Sequence, residues 1–153
     1  MAEHFPVYVN GLLTEVKKRV NSDFSGLGLI FYSGAAEILP MHAMGDETMF
    51  RPQLPIKRTE LIAETLSEIS CLASPWHDGF HLIEICRFEL THVCQFVLPP
   101  ALCIDRPSTG AIPLGARAIA AMAMSKLPSV FCSVQLRSNL TQRIFQDGRL
   151  IEI

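Results

Sequence analysis

Residues 75–85 read Pro75-Trp76-His77-Asp78-Gly79-Phe80-His81-Leu82-Ile83-Glu84-Ile85. A breaker and a polar turn followed by an apolar run is the pattern of a loop feeding a buried strand, placed here at 80–85. The Asp78-Gly79 pair at its mouth reads in two ways. It is the composition of a plain turn, and it is also a site where glycine lets another group approach the backbone while aspartate holds a metal or a ribose hydroxyl. A second strand, at 91–97, follows Cys86-Arg87-Phe88-Glu89-Leu90, so the two runs form a hairpin or a short bulged turn.

Upstream, Val9, Leu12, Leu13, Val16 and Val20 recur at helical steps, with Lys17, Lys18 and Arg19 where cations suit the helix dipole. Residues 26–32 (GLGLIFY) give a strand, and 37–42 is expected to return beside it across Ser33-Gly34. Gly45, Pro52 and Pro55 make 43–55 a connection. Leu61, Ile62, Leu66 and Ile69 share one face of a helix over 59–70, opposite Glu60, Glu64 and Glu68. Downstream, Pro99, Pro100, Pro107 and Pro113 make 98–114 a surface loop. Residues 115–126, rich in alanine and methionine, give a largely buried helix with Met122 and Met124 as gap-fillers, and 129–135 gives a strand. The segments 142–146 and 149–153 flank Asp147-Gly148, a hairpin signal. Strands and helices in this mixed order predict an α/β fold: a single domain over 1–153 on a mixed, roughly seven-stranded central sheet flanked by helices.

Composition excludes several classes. The chain has 153 residues, 49% hydrophobic and 18% charged, which is ample apolar surface to offset chain entropy and rules out disorder. Thirteen basic and fifteen acidic residues give a net charge of −2. With no basic run to neutralise successive phosphates, DNA or RNA is not an expected partner. No apolar run approaches the roughly 18–20 residues of a membrane span, and Met1-Ala2-Glu3-His4 lacks a secretory signal's features. A soluble, cytoplasmic protein with no membrane partner is therefore expected. The five cysteines, Cys71, Cys86, Cys94, Cys103 and Cys132, are odd in number and form no CxxC, indicating neither a disulfide framework nor a zinc clasp. Cys86, Cys94 and Cys132 read as buried strand thiols. His77 and His81 lie four apart, but on a strand Asp78 between them faces the other way, which spoils a shared zinc site.

Leu114-Gly115-Ala116-Arg117-Ala118-Ile119-Ala120-Ala121 is a loop-to-helix transition with arginine in the first turn. Free N–H groups at a helix start favour an anion and a guanidinium forks onto phosphate; an ordinary solvated arginine fits the same letters.

Taken together and in this order, PWHDGF, a strand ending Phe96-Val97-Leu98-Pro99, a proline-rich loop, LGARAIAA, a strand and a closing hairpin at Asp147-Gly148 resemble the diadenylate cyclase domain. That family condenses two ATP molecules into cyclic di-AMP and typically shows PLHDGA, a strand ending in LP, LGTRHRAA and a closing strand pair with an NG or DG turn. The resemblance runs from about residue 12 to the end of the sequence. It implies that Asp78 is the metal-binding and activating acid, holding Mg2+ or Mn2+ in an active enzyme, and that Arg117 holds phosphate. It also implies a nucleotide site formed by Trp76, His77, Asp78, Gly79, Phe80, Gly115, Ala116 and Arg117. Trp76 and Phe80 read either as stacking partners for a purine or as core residues.

The sequence departs from the family where charge matters. Phe80 stands for the alanine of DGA, and Ala116, Ala118 and Ile119 stand for the threonine, histidine and second arginine of TRHR. Where the family carries an acidic Ser-Glu-Glu stretch, this chain has Gln135-Leu136-Arg137-Ser138-Asn139, without a carboxylate. Phosphoryl transfer depends on metals and cations neutralising the triphosphate, whereas shape and one arginine suffice to bind. The leading expectation is thus a divergent diadenylate cyclase-like domain that binds or senses ATP, another nucleotide or a cyclic dinucleotide with little or no cyclase activity, a pseudoenzyme needing no cofactor. The alternatives are an active diadenylate cyclase built as a face-to-face homo-oligomer, and a non-enzymatic protein-interaction module whose pocket has closed around Phe80.

Overall fold

A computed structural model describes residues 5–45, 52–105 and 114–151. The chain runs α1 (Phe5–Arg19), β1 (Leu27–Tyr32), a 3-10 turn (Ala36–Ile38), β2 (Met41–Ala43), α2 (Thr59–Ile69), β3 (Phe80–Glu84), β4 (Glu89–Val97), a second 3-10 turn (Ala101–Cys103), α3 (Ala116–Met124), β5 (Val130–Leu136), β6 (Gln142–Gln146) and β7 (Arg149–Ile151). The strands form one seven-stranded sheet in the order β2-β4-β3-β1-β5-β6-β7. Only β1 and β3 pair in parallel, through the α2 crossover; every other neighbouring pair is antiparallel.

Strand alternation sends residues to two cores, and helices cover both. Leu27, Leu29 and Phe31 of β1 join Leu12, Val16, Ile62 and Leu66 beneath α1 and α2. Ile30 and Tyr32 join Phe80, Leu82 and Phe145 beneath Ala118, Ala121 and Met124 of α3. The alanines let α3 lie close, and the Ser133 hydroxyl donates a hydrogen bond to the Ala121 carbonyl. The expected single α/β domain on a mixed sheet flanked by helices is what the chain forms.

Four expectations need correction or fall elsewhere. The segment 37–42 does not return beside β1. Ala36–Ile38 is a 3-10 turn, and Met41–Ala43 pairs with Val97, Phe96 and Gln95 at the far edge of the sheet. The second strand of the β3–β4 pair begins at Glu89, two residues earlier than expected. Cys86 lies in the exposed turn after β3, where Glu84 raises its thiol pKa by accepting a hydrogen bond; Cys94 and Cys132 are buried, and burial pushes Cys132 up to about 12. Residues 46–51 of the first connection, 106–113 of the proline-rich loop with Pro107 and Pro113, and the last two residues of the closing hairpin lie outside the described residues. Among the described residues no helix is long and apolar enough to cross a membrane.

The early start of β4 follows from bulges. Phe80 faces Gln95, Leu82 faces His92 and Ile83 faces Leu90, so β4 twice spends one extra residue against β3. At the first irregularity Cys94 takes φ 52°, and its N–H turns from the ladder to donate to His81 Nδ1 at 3.0 Å. The neutral imidazole therefore carries its proton on Nε2, a fully buried atom with no hydrogen-bond partner among the described residues. Burial first, then the Arg117 charge, lowers the His81 pKa from 6.5 to about 3. Below pH 6.5 the unfolded chain takes up a proton that native His81 refuses. The neutral ring's stability contribution is thus complete above pH 6.5 and disappears as pH falls toward 3.

Two predictions arise from this packing. An added Cβ at Gly28 would sit 2.8 Å from Phe80 Cδ1, so Gly28→Ala is expected to cost about 1–3 kcal/mol by overpacking. In a Phe80→Ala background that cost should largely vanish, giving a coupling of at least ~1 kcal/mol in a urea-denaturation double-mutant cycle. His81→Gln is expected to lose about 1–2 kcal/mol at neutral pH with the Cys94 hydrogen bond. It should also flatten the decline in denaturation midpoint between pH 6.5 and 3 relative to the unaltered chain.

Candidate functional site

The mouth of β3 and the start of α3 meet at one end of the sheet. Gly79 holds φ 77°, and a Cβ there would come within 2.6 Å of both the Gln95 carbonyl oxygen and Met44 Cε, so the turn requires glycine. It throws Asp78 outward, with a 69% exposed side chain, and feeds Phe80 inward to 4% exposure. Asp78, Gly79 and Phe80 then line a cleft of about 480 Å³ with Met44, Gln95, Phe96, Val97, Ala116, Arg117 and Ala120. The volume falls within the range usual for small-ligand sites.

Phe80 does not close this cleft. Its ring lies over Gly28 of β1, where the missing side chain leaves the room the ring needs, and it belongs to the core beneath α3. The filling of the pocket by Phe80 that belonged to the interaction-module alternative is therefore not what the structure shows.

Arg117 reaches from the first turn of α3 across the end of the sheet. Its side chain is 22% exposed, with Nη2 3.8 Å from Asp78 Oδ1 and donating to the His77 carbonyl at 3.4 Å. A Cβ on Gly26 would lie 3.2 Å from Arg117 Nη1 and 3.0 Å from the Leu136 carbonyl oxygen. Gly26 thus leaves space for the guanidinium beside the end of β5. Burial lowers the Arg117 pKa and Asp78 raises it; an arginine stays charged under either influence. Both contacts are long, so a partly desolvated guanidinium holds five donors with little among the described residues to satisfy them. Gly115 caps α3 without a side-chain hydrogen bond, and the helix start faces the same cleft through Ala116.

Of the residues singled out in the sequence, Asp78, Gly79, Phe80, Ala116 and Arg117 come together in the cleft. His77 stands behind it: Nδ1 donates to the Ser74 carbonyl at 2.6 Å and Nε2 lies 3.7 Å from Asp78 Oδ2. Gly115 does not line the cleft. Trp76, 5% exposed, lies over Gly45 and borders a separate cavity of about 160 Å³ with Leu54 and His92; Met44 and Gln95 line both spaces. Its core reading holds in place of stacking. The aromatic face that the cleft does offer is Phe96, 52% exposed. Sequence alternation along β4 did not single it out because the bulges break that alternation.

A divalent cation, which the resemblance implies, does not fit the donor set. Among the described residues Asp78 is the only ionisable oxygen donor lining the cleft, and both of its oxygens face nitrogen, Arg117 on one and His77 on the other. The segment 135–139 does come alongside Arg117, through Leu136 next to Gly26, but brings no carboxylate there. Among the described residues no three His, Cys, Asp or Glu side chains group as metal ligands.

No protein-family model matches the sequence, and no curated protein matches it. Solved structures do. A hypothetical membrane spanning protein from Bacillus cereus is similar at TM-score 0.61 and 16% identity, covering 97% of this chain; the chain spans 63% of that protein's length. DacA from Staphylococcus aureus, a diadenylate cyclase seen as an N166C/T172C double mutant, is similar at TM-score 0.56 and 18% identity over 93% of this chain and 80% of its own. At these identities the likeness is one of fold, and the fold is diadenylate cyclase-like.

Proposed function

We propose that this chain is a divergent diadenylate cyclase-like domain that binds or senses an adenine nucleotide or cyclic dinucleotide with little or no cyclase activity. One observation carries the reading. Segments nearly forty residues apart, Asp78-Gly79-Phe80 and Ala116-Arg117, converge on an open cleft at a helix start in a diadenylate cyclase-like fold. Arg117 supplies donors for a phosphate oxygen, and Phe96 a ring face for a base.

The same cleft argues for weak chemistry. Transfer of an adenylyl group needs charge neutralised on a triphosphate, each missing contact typically removing a few kcal/mol of transition-state stabilisation. One arginine, already facing an acid, is a thin provision. The low-activity chain is a nucleotide-binding module that acts without Mg2+ or Mn2+, in a cytoplasmic setting and possessing an exposed cleft that a second copy is able to meet.

Calorimetry of the full chain with ATP, ADP and cyclic di-AMP tests this, with at least one binding. Arg117→Ala is expected to weaken that binding by about 1.5–3 kcal/mol, the range for a charge-assisted hydrogen bond. Phe96→Ala should weaken it by about 1–3 kcal/mol if a base stacks there. A folded chain that binds none of the three, nor 3′,5′-cyclic AMP, overturns the reading. Formation of cyclic di-AMP from ATP with Mn2+ or Mg2+ replaces it with the active cyclase.

A further inference from the structure

The charge arrangement in the cleft narrows the ligand beyond its base. Among the described residues lining it, Asp78 and Arg117 are the only ionisable ones and cancel; the others are Met44, glycine, alanine, valine, two phenylalanines and Gln95. A nucleoside triphosphate brings several negative charges into this neutral, largely apolar space with one guanidinium to meet them, and burying unpaired charge is strongly unfavourable. A metal ion that would lower that charge finds a single carboxylate, with Arg117 3.8 Å from one oxygen and His77 3.7 Å from the other. A nearby guanidinium repels a divalent cation as surely as it attracts phosphate.

We infer, resting on the nucleotide-binding reading above, that the cleft takes a purine nucleotide whose phosphate is a singly charged phosphodiester, and takes it without a divalent metal. Each diester phosphate carries one charge, which matches one guanidinium, and the base and ribose match the apolar walls. Asp78 then acts as a competitor: it holds Arg117 in place in the empty cleft and gives way when the diester oxygen arrives. The pair is long and Asp78 is 69% exposed, so the exchange leaves the carboxylate in water.

The test is equilibrium binding of the full chain to 3′,5′-cyclic AMP, cyclic di-AMP, adenosine and ATP, each with excess Mg2+ and with EDTA. At least one of the two diesters should bind equally under both conditions and about tenfold or more tighter than ATP, a difference of ~1.4 kcal/mol. Asp78→Asn, at an exposed position, should tighten the diester several-fold by releasing Arg117. A requirement for Mg2+, ATP binding as tightly as the diesters, or weaker binding by Asp78→Asn overturns the inference and leaves the nucleotide-binding reading standing. Binding of none of the four probes, nor of ADP, removes that reading itself.

Discussion

The contact of the Phe80 ring with the bare Cα of Gly28 joins the fold to its cleft. β1 and β3 are the one parallel pair in the sheet, and at their shared mouth a side chain on β1 would collide with the ring. Because Gly28 yields that space, a bulky aromatic enters the core beneath α3 instead of standing upright in the cleft. The turn ahead of it then fixes Asp78 outside and Gly79 against the β4 carbonyl. A residue that looked, letter by letter, like an obstruction is a floor.

The second constraint is the irregular pairing of β4. An extra residue between Leu82 and Phe80 in the register places Cys94 at positive φ, a conformation uncommon for a non-glycine residue and one that needs support. His81 supplies it from the buried side of β3, accepting the Cys94 N–H. Bulges turn the following side chains, and here the residues that follow are Gln95 and Phe96, both in the cleft wall. A histidine that faces the opposite side of the sheet from α3 thus helps set the shape of the cleft.

These two constraints mark where the sequence was and was not legible. The helices and most strands were readable within a few residues because periodicity is local: Leu12, Val16, Ile62 and Leu66 do point into one core. The pairing of β2 was not readable. Three residues of edge strand, one partly buried and two exposed, carry no pattern that names a partner, and the partner is over fifty residues away. At the site, Asp78 and Arg117 were legible as motif residues, whereas Phe96 was not, since its orientation depends on the bulge. Trp76 was misleading for the opposite reason. Two residues from Asp78 in sequence, it is carried by the turn to the far side of Met44 and Gln95.

What remains at the cleft is an electrostatic balance with an uneven character. The Arg117 guanidinium is mostly shielded while the Asp78 carboxylate is mostly in water. An exposed, long ion pair contributes about 0–1 kcal/mol, enough to bias the guanidinium toward the cleft and too little to hold it against a directly bonded phosphate oxygen. Shielding strengthens whichever anion comes closest, so the advantage passes to a ligand that arrives with its own apolar surface and expels water around Arg117. A cleft with one shielded guanidinium and one exposed carboxylate is, by this reasoning, better suited to holding a single compact anionic group than to steadying a chain of charges.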